Sequence, residues 1–133
     1  MDISKLENIL QSILNGNPAF QTVMVVSIDG LPLASMSNAT LDEEKVSAVS
    51  SLALSTLEKT ANEIGLGKLS DTMIRGTDAT VFIYNLDNEG ALVAVADNSV
   101  KLGLALYQLK SASREAEQVL KSSQFSASTG EPV

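Results

Sequence analysis

The chain has 133 residues, 44% hydrophobic and 19% charged, and its 16 acidic residues outnumber 9 basic ones for a net charge of −7. That length fits one domain with a core of its own, and the acidic balance argues against a nucleic-acid backbone or an anionic membrane surface as partner. The absence of His and Cys excludes Ser-His and Cys-His nucleophile pairs and ordinary zinc ligand sets, and it fits a reducing cytoplasm.

No apolar run is long enough for a membrane-spanning helix, so no membrane insertion is expected. The N-terminus has no basic stretch followed by an apolar one, so no secretion signal is expected and the location is read as cytoplasmic. Neither G-x-x-x-x-G-K-[ST] nor a G-x-G-x-x-G turn occurs, and no nucleotide or other cofactor is expected.

Asp2 or Ser4 can cap a first helix whose stripe is Leu6, Ile9, Leu10, Ile13 and Leu14, with Gly16 at its stop. Val23 to Ile28 is a nearly continuous apolar run, which reads as a strand buried on both faces. Asp29-Gly30 predicts a two-residue hairpin with positive φ at both turn positions. The returning strand, Leu31 to Met36, carries Pro32, which lacks an N–H and so belongs at a sheet edge. Asp29 offers one carboxylate where calcium needs several oxygen ligands, so no metal site is expected.

Leu41 to Ile64 is the longest helical stretch, with Thr40 or Asp42 as cap and Glu43 and Glu44 suited to the positive end of its dipole. With Val46 at zero and ~100° per residue, Val49, Ala53, Leu57, Thr60 and Ile64 form one apolar stripe, expected to cover a sheet. Beside it run Ser47, Ser51 and Ser55 with Ala48, a row slim enough to admit another backbone.

Lys68 to Arg75 reads as a third strand, polar enough to lie at an edge. Gly76-Thr77-Asp78 turns into a fourth strand, Ala79 to Tyr84, and a polar turn leads to a fifth, Ala91 to Ala96, apolar throughout. Asp97-Asn98-Ser99 caps a last helix from Val100 to about Lys121, with an inward stripe of Leu102, Leu106, Leu109, Ser113, Ala116 and Leu120. Residues 122–133 are Ser-rich and aperiodic, and are expected to be a disordered tail.

The order is α-β-β-α-β-β-β-α, an α/β domain. The first and fifth strands are the most apolar and belong side by side in the middle. A five-stranded antiparallel sheet in the order 2-1-5-4-3 then puts Pro32 on one edge and the polar third strand on the other. The long central helix covers one face, and the N- and C-terminal helices cover the other.

The segment VSIDGLPLAS, the central helix, the strand ending MIRG and the last helix beginning KLGLALYQLKSA resemble the roadblock family, and its bacterial and archaeal MglB-like members most. DGLPLAS and ALVAVADNSVKLGL are the more specific stretches. The likeness spans roughly Leu6 to Lys121, so residues 1–121 are read as one roadblock domain. It implies a profilin-like three-layer fold and a homodimer in which the third strands pair across a twofold axis with the central helices alongside. It also implies a Ras-like small GTPase as partner, since MglB-like members activate GTP hydrolysis by such a protein.

On that resemblance the partner-binding surface is placed on Glu44, Ala48, Ser51, Leu52, Ser55 and Lys59, away from the core stripe. Leu52 is the telling one, an apolar side chain ~240° from Val46. The dimer interface is placed on Ser47, Leu54, Glu58, Lys68, Ser70, Thr72, Ile74 and Arg75. The chain's two arginines, Arg75 and Arg114, read as structural or solvent-facing, so no arginine finger and no enzyme activity of its own are expected. Two other classes remain open: a scaffold subunit that leaves nucleotide turnover unchanged, and a sensory domain holding a small ligand in an apolar cavity.

Overall fold

A computed structural model describes residues 1–129, with side chains placed through Ser122. The elements are α1 (Ile3–Gly16), β1 (Phe20–Ser27), β2 (Pro32–Ser37), α2 (Glu43–Glu63), β3 (Asp71–Arg75), β4 (Ala79–Asn85), β5 (Gly90–Asp97) and α3 (Leu102–Thr129). The strands form one antiparallel sheet in the order β2-β1-β5-β4-β3. Strand polarity predicts this arrangement. β1 and β5 are buried through most of their length, whereas β3 is exposed at four positions and half-buried at Thr72.

Alternation along each strand divides the core in two. Val23 and Val25 of β1, Leu92, Ala94 and Ala96 of β5, and Phe82 and Tyr84 of β4 meet Leu6, Leu10 and Ile13 of α1 and Leu109, Ala116 and Leu120 of α3. Phe20 and Phe82 stand edge to face at 6.1 Å in this layer. The intervening positions, Met24, Val26, Ile83, Ala91 and Val93, turn to the opposite face, where the only large buried side chain that α2 brings is Leu54. The α2 layer is therefore thin.

Caps follow local chemistry. Asp2 accepts a hydrogen bond from the Lys5 amide at 3.1 Å, and Asp42 accepts one from the Lys45 amide at the same distance, each satisfying an otherwise orphaned donor. Asp97 accepts from the Ser99 amide at 2.8 Å and from its hydroxyl, which holds that carboxyl below its ordinary pKa and fixes the turn into α3.

Four expectations need correction. The hairpin loop has three residues, Ile28-Asp29-Gly30. The Gly30 amide donates to the Ser27 carbonyl at 3.0 Å, Gly30 takes φ +86°, and Asp29 keeps negative φ. A type I turn closed by a left-handed glycine gives the twist that the two-residue turn was expected to supply. β3 begins at Asp71 rather than Lys68, because Lys68 turns aside to pair with Asp87. In α3 the buried position near the start is Ala105, while Leu106 is exposed: the small residue lets the helix approach α1 and the sheet closely. The α3 backbone also continues past Lys121 to Thr129, through a stretch without Gly or Pro, while the end of the expected tail, 130–133, lies outside the described residues.

Candidate functional site

The buried face of α2 is Ser47, Ser50, Leu54 and Ala61, not Val49, Ala53, Leu57, Thr60 and Ile64. It lies about a quarter-turn away on the helical wheel. Small size decides the matter. The Ser47 hydroxyl donates to the Gly30 carbonyl at 2.5 Å. A Cβ added at Gly30 would sit 3.4 Å from the Ser51 side chain and 3.9 Å from the Ala48 backbone. The slim row thus admits the chain's own β1–β2 turn, where a second backbone was expected. Ser47 is fully buried and Leu54 nearly so, which removes both from the dimer interface proposed for them.

Contact with Gly30 also orients the helix. Ser47 and Ser51, at ~100° and ~140° from Val46, face the β1–β2 side of the sheet. The opposite side of α2 points away from that turn. It carries Val49 at 58% exposed, half-buried Ala53, and exposed Thr56 and Thr60, with Leu52 at 70% exposed along its crest. Ile64 and Leu66, just past the helix, and Met73 and Ile74 of β3 are exposed as well. Of the partner-binding residues, Glu44, Ala48, Leu52, Ser55 and Lys59 are exposed and Ser51 is half-buried. Glu58 is half-buried and lines a groove with Asn85 and Asn88 of the β4–β5 turn.

Among the described residues β3 pairs only with β4. The Asn85 amide donates to the Ser70 carbonyl and the Gly76 amide to the Ala79 carbonyl. By strand parity Thr72 and Ile74 also turn their backbone groups toward β4, so Asp71, Met73 and Arg75 turn theirs to the free edge. Side chains alternate too. Thr72 and Ile74, opposite Ile83 and Val81, lie on the α2 face of the sheet. Asp71 and Met73, opposite Tyr84 and Phe82, lie on the other. Burial first, and the Asp71 carboxylate second, push the Tyr84 phenol above its ordinary pKa. Ser70 donates to Asp71 at 2.7 Å.

Lys68 lies off the edge. It pairs with Asp87, which also receives Lys121 at 2.5 Å, and Lys121 in turn reaches Glu117 at 3.2 Å. The two lysines hold the Asp87 carboxyl down at about 2, and its carboxylate, with that of Glu117, raises Lys121. This cluster ties the β4–β5 turn to α3. Among the described residues no group of three or more His, Cys, Asp or Glu could hold a metal ion, and no helix is long and apolar enough to cross a membrane.

Residues 7–96 match the Roadblock/LC7 domain model. The chain belongs to the Roadblock/LC7 family. An uncharacterized protein of Methanocaldococcus jannaschii is 39% identical over 106 residues, which cover 80% of this chain and 90% of that one. Among solved structures, Myxococcus xanthus MglB superposes with a TM-score of 0.83 at 18% identity, covering 91% of each chain. Acanthamoeba castellanii profilin IA superposes with a TM-score of 0.56 at 14% identity, over 84% of this chain and 96% of profilin. At these identities the likeness is one of fold: this roadblock domain is a profilin-like three-layer structure of the kind seen in MglB.

Proposed function

We propose that this roadblock domain is a homodimeric binding module that engages a Ras-like small GTPase in the cytoplasm and modulates its nucleotide cycle without lending a catalytic side chain. The observation that carries the dimer is a coincidence of two incomplete surfaces. The edge of β3 away from β4 has no strand beside it among the described residues, and α2 leaves Val49 and Leu52 exposed. An open strand edge demands pairing or protection, and two such edges meeting antiparallel bring the α2 helices together on one face. The revised interface is Thr72, Met73, Ile74 and Arg75 with Val49, Ala53 and Thr56.

Family membership and the likeness in fold to MglB support a GTPase as the partner. The recognising surface is the upper side of the helix pair: Glu44, Ala48, Leu52, Ser55 and Lys59. Arg75 is assigned to the interface and Arg114 to solvent, so modulation acts through the GTPase's own residues. The test is single-turnover GTP hydrolysis by each Ras-like GTPase of the same cell, with and without this protein, alongside co-sedimentation. A complex with altered turnover that Leu52→Glu abolishes while the dimer persists is the expected result. Complex formation with no change in rate makes the protein an adaptor, and no complex with any of them ends the GTPase reading.

A further inference from the structure

We infer that the groove between α2 and the β4–β5 turn is a receptor for one arginine side chain of a partner protein. The inference does not depend on that partner being a GTPase. The groove is open and encloses about 320 Å³. Its floor is apolar, made by buried Leu54 and Ala91, exposed Ile28 stands at its rim, and its α2 wall carries Ser51, Ser55 and Glu58.

Among the described residues Glu58 is the only charged group in the lining. It is half-buried, and among the described residues its carboxylate has no hydrogen bond or ion pair. The positions one helical turn away, Leu54, Ser55, Ala61 and Asn62, offer no cation. The lysines at this end of the sheet, Lys68 and Lys121, are held by Asp87. A partly desolvated carboxylate left without a donor is a standing acceptor for a cation.

Arginine fits the remaining features. Its aliphatic stem lies along apolar surface while its charged head reaches a polar rim. Leu54 and Ala91 would take the stem, and Glu58 would take two guanidinium N–H groups side by side. Three donors then remain, and the acceptors at the rim are the Ser51 and Ser55 hydroxyls and the Asn88 side-chain oxygen. Asn88 is well held: its amide donates to Asn85 at 3.0 Å, and its side-chain oxygen receives only a long contact of 3.4 Å from the Asn85 side chain. An ammonium head is a point charge with three donors and leaves part of this set unused. The chain's charge of −7 favours a basic segment approaching from any direction.

The test uses the full chain, ¹⁵N-labelled, titrated with Nα-acetyl-arginine amide and followed by amide shifts. Nα-acetyl-citrulline amide, equal in shape but uncharged, and Nα-acetyl-lysine amide serve as comparisons. The expected result is shifts concentrated at Ser51, Ser55, Glu58 and Asn88, with binding weakened about tenfold or more by Glu58→Gln and by the citrulline compound. Dispersed shifts, equal binding of the citrulline or lysine compound, or an unchanged affinity in Glu58→Gln would each overturn the inference.

Discussion

If two β3 strands pair antiparallel through their free edges, the strand's own sequence dictates the register. Asp71, Met73 and Arg75 supply the outward backbone groups, and a twofold axis at Met73 sets Asp71 against Arg75 of the partner subunit, twice. Neither residue forms an ion pair within one protomer among the described residues, so both charges are available to the dimer. An opposite-charge pair directly across two strands contributes roughly 0.2–1 kcal/mol, and a like-charge pair costs about as much. Arg75→Glu reverses both pairs and should weaken the dimer by about 0.8–4 kcal/mol, or about 4-fold to 1,000-fold in Kd. Solvent exposure of both residues places the effect in the lower half of that span. Asp71→Arg should do the same, and the two together should restore the dimer with the charges exchanged. Sedimentation equilibrium measures all four proteins, and the gaps between them should shrink as salt rises. Single reversals without effect, or a double reversal that fails to rescue, would refute this register.

Gly30→Ala should lower stability in urea melts by about 1–2 kcal/mol, because a side chain at left-handed φ is strained and this one also meets Ser51. Leu54→Ala should cost about 2–5 kcal/mol by the same measurement, and hydrogen exchange should show the loss concentrated in α2, which has no other large buried anchor. Asp87 has its folded pKa lowered to about 2 from 3.8, so its contribution is fully present above pH 3.8 and is lost as pH falls through about 2. Thermal melts over that window should therefore fall less steeply in Asp87→Asn than in the parent, and Asn suits the φ of +52° at this position.

Sheet order was legible because burial grades the strands: the two most apolar occupy the middle and the two least apolar the edges. The face of α2 was not legible for a physical reason. A wheel weighted by hydrophobicity selects the side with Val49 and Ile64, yet the sheet admitted the side with Ser47 and Ser50. A helix crossing close over a turn needs small residues more than apolar ones, and the buried Ser47 hydroxyl is satisfied by a carbonyl that sequence alone does not place nearby. The same preference put Ala105, not Leu106, against the core in α3. A usable signal was present: serines at i and i+4 on a helix, with a hairpin glycine upstream.

The two sides of α2 differ in what they lack. On one side the helix shows Val49 and Leu52 exposed, and at the edge of the sheet β3 leaves one row of backbone groups without a strand beside it among the described residues. Burying those two side chains would supply roughly 1.5–3 kcal/mol apiece, on the layer of the core where only Leu54 holds the helix to its own sheet. Toward the β1–β2 turn the helix is already seated through Ser47, and what remains open is a groove with a lone carboxylate. Apolar surface beside an open strand edge calls for a copy of the same chain, since an edge with Asp71 and Arg75 symmetric about Met73 complements itself. An unpaired carboxylate in a groove calls instead for a cation, which the lining does not supply. The proposed self-association through β3 and the proposed recognition through the groove thus draw on different residues, and each can be lost by mutation without the other.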